Sequence, residues 1–154
     1  MSLEIGDIIT LDIGSIANGG HFIARHNNQI IFVRHSIPGE KANVKITAVN
    51  SKFAFGDAVE ILKSSKDRVE APCKYAHPDG CGGCDFQHIK PQAQSVLKRT
   101  VIQDQFKRIA KIEVIPELIS TEPSNGLNWR SRLNLSVSEN KNLGLRADIS
   151  NKII

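Results

Sequence analysis

Apolar and polar residues alternate along much of the first 62 residues. Leu11 and Ile13 alternate with polar neighbours, and Ala42, Val44 and Ile46 repeat this pattern further along the chain. A period of two is typical of β-strands with one buried face. Glycine, asparagine and proline residues separate the apolar stretches and mark turns. The five predicted strands cover residues 9–13, 22–25, 30–33, 41–48 and 57–62.

These strands favour a closed sheet over an open one. Five short strands in an open sheet would leave two edges with unpaired backbone groups, and closing the sheet into a barrel removes both edges. No stretch with helical periodicity interrupts residues 1–62. We therefore predict an OB-like five-stranded barrel over residues 1–62.

A single helix is predicted in the segment 90–112. Pro91 suits the first helical turn, where its missing N–H is not needed. Positive side chains near the other end suit the helix C-terminus electrostatically. The pattern indicates a packing helix with one broad apolar face. That face would carry Ala93, Leu97, Val101, Phe106 and Ile109.

Residues 113–154 return to strand-like alternation. Turn signals at Pro123 to Gly126 precede an alternating stretch that ends at Val137, and residues 140–142 read as a hairpin loop into residues 143–146. A second turn at 148–151 leads into Lys152-Ile153-Ile154. This segment is predicted to begin a second β domain. The fold class is mainly β with one long helix.

Composition indicates the cellular compartment of the protein and the role of its cysteines. No run approaches the roughly 18 apolar residues of a membrane span, and the N-terminus lacks the basic start and apolar stretch of a signal peptide. All three cysteines lie between Cys73 and Cys84, whereas a secreted disulfide framework spreads an even number along the chain. We expect a reducing, cytoplasmic setting, no membrane, no obligate protein partner, and cysteines that act as ligands.

The net charge of +4 is concentrated in the middle of the chain. Residues 63–112 hold ten Lys or Arg against five Asp or Glu, while residues 1–62 hold five against six and residues 113–154 hold five of each. A basic segment is expected where a polyanion is contacted. A solvated helix face gives the same pattern, so charge alone does not decide.

The cysteine-rich segment 63–89 carries the clearest chemical motif. Cys81 and Cys84 are separated by two glycines, which let the backbone approach a bulky centre and point amide N–H groups at sulfur. Cys73 reaches the same region across a turn-rich loop. Zinc, with His77 or His88 as fourth ligand, and an iron–sulfur cluster both fit this spacing.

Residues 1–62 also resemble a TRAM domain, a small RNA-binding β-barrel. The resemblance rests on Ala-Asn-Gly-Gly at 17–20, on Phe32-Val33, on Ile-Pro-Gly-Glu at 37–40 and on the strand that follows. If the barrel contacts RNA, we expect Arg25, Lys45, Lys52 and Phe53 to lie on that side.

The cysteine motif is similar to the Cys-x-Cys-Gly-Gly-Cys-x-x-Gln-His signature of RNA 5-methyluridine methyltransferases, although the first loop is longer here. The resemblance implies a [4Fe-4S] cluster held by Cys73, Cys81 and Cys84, with a fourth cysteine beyond this sequence. Two later phrases also resemble the family's central β domain: Trp129-Arg130-Ser131-Arg132 and Gly144-Leu145-Arg146.

The family resemblance implies a wider function. It implies an S-adenosylmethionine-dependent RNA uracil-5-methyltransferase acting on structured ribosomal or transfer RNA, with its S-adenosylmethionine site in a domain outside this sequence. No catalytic residue is assigned here, because all three cysteines are expected to be ligands. The candidate RNA contacts outside the barrel are Lys98, Arg99, Arg130, Arg132 and Arg146.

Two other interpretations stay open. One is a stand-alone RNA-binding module whose cysteine loop is stapled by zinc. The other is a radical methylthiotransferase, but the Cys-x-x-x-Cys-x-x-Cys motif of those enzymes is missing from the sequence.

Overall fold

The computed structural model describes residues 3–119, 126–127, 130–147 and 150–154. The predictions that involve Pro123, Asn125, Trp129 and Asp148 lie outside the described residues. The described elements follow in chain order. They are β1 (Ile8–Asp12), β2 (Phe22–His26), β3 (Gln29–Arg34), β4 (Lys41–Val49), β5 (Phe53–Lys63), α1 (Pro91–Gln105) with a π-helical turn (Phe106–Ala110), β6 (Ser136–Val137) and β7 (Leu143–Gly144).

The first five strands form one sheet in the order β1-β4-β5-β3-β2. All pairs are antiparallel except β3 and β5, which run parallel. The chain just past β1 also reaches the opposite edge strand, since Gly14 N–H donates to Ile23 O and Ile23 N–H donates to Ser15 O, both at 2.8 Å. A Cβ at Gly14 would lie 2.8 Å from Ile23 O, so this approach requires glycine.

The five predicted strands are confirmed, with one difference in extent. The sequence pattern predicted that the fifth strand begins at residue 57, whereas β5 begins at Phe53. Its inward positions are the small residues Ala54, Gly56 and Ala58, all buried. Because these small residues give a weak hydrophobic signal, the prediction missed the first four residues of the strand.

The core of the sheet extends beyond its own strands. Ile89, from the cysteine-rich segment, is 1% exposed and packs with the buried residues of the sheet. Val69 N–H donates to His88 O at 3.0 Å, and Lys90 N–H donates to Asp67 O at 2.9 Å. These two bonds, with a bridge between Arg68 and Ile89, join the two ends of the segment to each other, and this places Ile89 against the core.

The predicted helix is confirmed, and Pro91 stands in its first turn. Ala93, Leu97 and Val101 pack partly buried against the core of the sheet. The predicted apolar face is wrong at Phe106 and Ile109, which are 46% and 78% exposed. Both lie in the π-helical turn, whose wider hydrogen-bonding pattern rotates side chains away from the face set by α-helical spacing. No helix among the described residues is long and apolar enough to cross a membrane.

A second, small sheet follows the helix. Strands β6 and β7 pair antiparallel with Val137 opposite Leu143, and Ser138 N–H donates to Asn142 O at 2.9 Å, which confirms the predicted hairpin. The last residues join it through a bridge between Arg146 and Ile153 and a 2.8 Å bond from Ile154 N–H to Leu145 O. The strand predicted before Val137 is shorter than expected, beginning only at Ser136.

Candidate metal centre and nucleic-acid interface

Tight turns shape the loop that carries the three cysteines. Ala76 N–H donates to Cys73 O at 3.0 Å, and Cys81 N–H donates to Tyr75 O at 2.8 Å. The second bond closes the loop, so that the seven residues between Cys73 and Cys81 are folded tightly. The Gly80 N–H donates to His77 O at 2.9 Å inside that loop.

All three cysteines are free thiols, with Cys73 and Cys81 partly buried and Cys84 exposed. The Gly83 N–H donates to Cys81 Sγ at 3.4 Å, which is the amide-to-sulfur contact expected of a Gly-Gly pair. The side-chain amide of Gln87 accepts from Cys73 N–H at 3.1 Å, so the Gln-His phrase helps to position the first cysteine. Three thiols fit an iron–sulfur cluster or zinc by donor chemistry.

The possible ligand side chains do not surround a common point in this structure. Within the described ranges, no three His, Cys, Asp or Glu side chains are grouped closely enough to hold a metal ion. The ligand roles of Cys73, Cys81 and Cys84 therefore stay predictions.

The two histidines considered as zinc ligands both contact backbone carbonyls. His88 is buried, with Nε2 3.0 Å from Ser36 O, and burial holds the pKa of its ring below the usual range. A neutral His88 therefore donates its Nε2–H to Ser36 O, in the loop between β3 and β4. His77 is exposed, and its Nδ1 lies 2.7 Å from Pro78 O.

A buried ion pair joins the cysteine-rich segment to the sheet. Arg68 donates through Nε and Nη2 to the two oxygens of Glu40, both at 2.7 Å, and its Nη2 also donates to His35 O at 2.9 Å. The Glu40 side chain is fully buried and accepts further bonds from the N–H groups of Ile37 at 2.9 Å and Ser65 at 3.0 Å. Glu40 of the Pro-Gly-Glu phrase is thus a structural carboxylate that sequence reasoning used only as a family marker.

The cysteine loop also lies between the sheet and the second β segment. On the sheet side, Gly20 packs so closely on Asp85 that a Cβ at this glycine would lie 3.0 Å from the Asp85 side chain. On the other side, Gly82 N–H donates to Arg146 O at 3.0 Å and Arg130 donates to Gly83 O at 3.3 Å. Both glycines between the cysteines therefore contact predicted RNA-binding arginines.

The remaining candidate RNA contacts lie on several surfaces. Arg25 and Lys52 are exposed on the sheet and in the turn before β5, while Lys45 places its Nζ 3.9 Å from Asp79 of the cysteine loop. Lys98 is exposed on α1, and its neighbour Arg99 is partly buried. In the second β segment Arg132 is exposed, whereas the side chain of Arg146 donates to Ser136 and Asn151. Whether any of these residues contacts RNA stays a prediction.

Phe53 belongs to a partly exposed aromatic cluster on β3 and β5. Its ring centroid lies 5.7 Å from that of Phe32 and 5.5 Å from that of Phe55, and His21 lies 5.4 Å from Phe55. The prediction named Phe53 alone. The Phe-x-Phe spacing of β5 was a usable signal, because residues two apart share one face of a strand.

Comparison with known proteins assigns the first sheet. The family model described as the TRAM domain matches residues 2–59. This part of the chain is a TRAM domain. The predicted resemblance is confirmed, and Glu40 and the aromatic cluster lie within the matched residues.

Several relatives of this chain are RNA methyltransferases. An uncharacterized RNA methyltransferase of Streptomyces avermitilis is 41% identical over 97% of this chain and 37% of its own length. The 23S rRNA (uracil(1939)-C(5))-methyltransferase RlmD of Methylococcus capsulatus is 35% identical over 95% of this chain and 33% of its own length. Among solved structures, a conserved protein of Methanococcus maripaludis is 38% identical over 37% of this chain and 81% of its own, with a TM-score of 0.35.

These relatives confirm the predicted kinship with RNA methyltransferases. The chain spans about a third of the length of the relatives it matches, and the TRAM domain is one part of that third.

Proposed function

We propose that this chain is the RNA-engaging and iron–sulfur region of an S-adenosylmethionine-dependent RNA uracil-5-methyltransferase. The observation that carries the proposal is the 35% identity to RlmD of Methylococcus capsulatus over 95% of the chain, TRAM domain and cysteine loop included. S-adenosylmethionine and the uridine would bind in the part of such enzymes that lies outside this sequence. Structured ribosomal or transfer RNA is the proposed partner.

Within this function the TRAM sheet is proposed to act as a closed OB-like barrel. The hydrogen bonds that join Gly14 and Ser15 to Ile23 support closure, because they connect the two edge strands of the sheet. Closure leaves the aromatic cluster of Phe32, Phe53 and Phe55 on an outer surface. Partly exposed rings on a barrel are suited to stacking with unpaired bases.

Cys73, Cys81 and Cys84 are proposed to hold three irons of a [4Fe-4S] cluster. When bound, such a cluster would supply a rigid centre with redox chemistry of its own. The residues of this chain support it through the Gly83 amide, which donates to Cys81 sulfur, and through Gln87, which positions Cys73. The same loop contacts both the TRAM domain and the second β segment, so the cluster would lie where the proposed RNA-binding surfaces meet.

The proposed RNA role predicts which positive charges matter most. Exchanging Lys98 and Arg99 for glutamine should weaken RNA binding more than the same exchange at Arg25 and Lys45, because Lys45 already lies 3.9 Å from the carboxylate of Asp79. Fluorescence anisotropy with a ribosomal RNA fragment at several salt concentrations would measure this. The slope of log affinity against log salt is negative, and each lost phosphate contact should reduce its steepness by about 0.7–0.9.

The two double variants remove equal charge, so they control for each other. An equal or reversed ranking would contradict a helix contribution and assign phosphate binding to the TRAM domain.

A second test concerns catalysis. We expect this chain alone to transfer no methyl group to RNA, because all three of its cysteines are proposed ligands and none is left as the nucleophile. Incubation with unmodified ribosomal RNA and labelled S-adenosylmethionine should leave the RNA at background. Incorporation above background would show that the catalytic residues lie within this sequence.

A further inference from the structure

A cleft of about 450 Å³ lies where the TRAM sheet, the cysteine loop and the end of the chain meet. This volume is in the range of pockets that bind small organic molecules. The TRAM domain lines it with His21, Arg34, Phe55 and Asp57, the cysteine loop with Asp79, and the end of the chain with Lys152. The functions proposed above do not use this cleft.

Arg34 and Asp57 form a sheltered charge pair in the cleft wall. The parallel pairing of β3 with β5 sets them side by side, with Arg34 Nε 3.8 Å from Asp57 Oδ1. Their side chains are only 10% and 19% exposed. A separation of 3.8 Å is too long for a hydrogen bond, so Arg34 does not saturate the acceptor capacity of the carboxylate. Burial raises the pKa of Asp57, and the positive charge of Arg34 opposes that rise.

Aromatic groups form the adjoining wall. The rings of His21 and Phe55 meet at a centroid distance of 5.4 Å. Burial, followed by the positive charge of Arg34, holds the pKa of His21 below its usual range, so this ring is neutral at pH 7. Among the described residues, none forms a hydrogen bond with its buried Nε2. The cleft therefore presents apolar ring surface beside the carboxylate of Asp57.

The balance of charge in the cleft argues against a phosphate as its ligand. Among the described lining residues, the cations Arg34 and Lys152 lie near the carboxylates Asp57 and Asp79, and Lys45 beside the cleft pairs with Asp79, so positive and negative groups are mixed there. Phosphate sites concentrate positive charge. A flat, uncharged ring with hydrogen-bonding edges suits this lining better, and a nucleobase is such a ring.

We propose that the cleft binds a guanine base of single-stranded RNA, with the Asp57 carboxylate accepting hydrogen bonds from guanine N1–H and the N2 amino group. Guanine places two donors side by side, which matches the two acceptor oxygens of a carboxylate. Adenine and cytosine place an acceptor beside their amino group, and uracil flanks its single N–H with carbonyl oxygens. Unpaired RNA bases are read in this way, by their Watson–Crick edge against aromatic side chains. This inference rests on the proposed RNA-binding function.

The test uses short, otherwise uridine-only RNA oligomers whose central residue is guanosine, adenosine, cytidine, inosine or uridine, measured by fluorescence anisotropy with the full chain. The guanosine oligomer should bind about tenfold more tightly than the others, a typical value for one bidentate base contact. Inosine lacks the N2 amino group and should lose most of that advantage. The Asp57→Asn variant should bind the guanosine and uridine oligomers alike, while Asp104→Asn, which removes the same charge from exposed helix α1, should keep the preference.

The possible results separate the inference from the proposed function. Tight binding of every oligomer without preference for guanosine would overturn the guanine site and leave the RNA-binding role intact. A lack of binding to all oligomers would overturn the guanine site, and a lack of binding to a structured ribosomal RNA fragment as well would also overturn the RNA-binding role. Because the inosine comparison changes only the ligand, it decides the inference even where the Asp57→Asn variant fails to fold.

Discussion

Replacing Arg68 by methionine should lower the free energy of unfolding by about 3 kcal/mol, because it leaves a buried carboxylate without its counterion. Arg68 donates to both oxygens of the fully buried Glu40 at 2.7 Å. In the variant, only the backbone N–H groups of Ile37 and Ser65 would remain as donors to that charge. The lower end of the range for buried pairs is expected, because 21% of the Arg68 side chain is exposed.

Urea denaturation followed by circular dichroism would measure the loss. Lys107→Met is the matched control, because it makes the same change at an exposed ion pair with Glu113. Such pairs contribute about 0–1 kcal/mol. A loss below about 1 kcal/mol for Arg68→Met would mean that water or another group supports Glu40.

The same pair predicts how stability depends on pH. Burial tends to raise the pKa of Glu40, but the hydrogen bonds from Arg68 and the backbone outweigh it and hold the pKa below its ordinary value of 4.5. A carboxylate whose pKa is lower in the folded state stabilises the fold above its unfolded pKa and loses that contribution as pH falls through its folded pKa. The difference between the native chain and Arg68→Met should therefore narrow below about pH 4.5.

Exchanging Cys81 for serine is expected to abolish iron binding altogether. The test uses a longer polypeptide, with the region that the relatives have outside this sequence, purified without oxygen. The native form should be brown with about four irons per chain, and Cys81→Ser should be colourless. Cys81 is the informative position because its sulfur accepts the Gly83 N–H and its backbone closes the loop onto Tyr75. The present chain, with three thiols, should hold the cluster only weakly in air.

His88→Ala is the control for a zinc site. Because His88 donates to Ser36 O in the TRAM domain, its removal should cost stability but leave the colour intact. A colourless native protein with about one zinc, lost in His88→Ala, would contradict the cluster and favour a zinc-stapled RNA-binding module.

Much of the fold could be predicted from sequence because its signals are local. The alternation in β4 and the position of Pro91 predicted a strand and a helix start that the structure confirms. The Glu40–Arg68 pair could not be predicted in this way, since its members are 28 residues apart and no local pattern connects them.

The candidate sites also differ in whether their residues are close together in the sequence. The cysteine motif is visible because its chemistry lies within twelve residues, whereas the cleft beside Asp57 draws its walls from three distant parts of the chain. Helical periodicity failed at Phe106 because a π-helical turn breaks the period that the prediction assumed.

The packing of Ile89 extends the folding unit of the TRAM sheet beyond the residues that match the TRAM domain. The TRAM match ends at residue 59, yet the carboxylate of Glu40 is neutralised by Arg68 and the core is completed by Ile89. Recombination that exchanged the TRAM domain at its matched boundary would separate a buried charge from its partner and leave the core open at one end. The structural unit is then the TRAM sheet together with the cysteine-rich segment, so we expect gene fusions that preserve the TRAM domain to carry that segment with it.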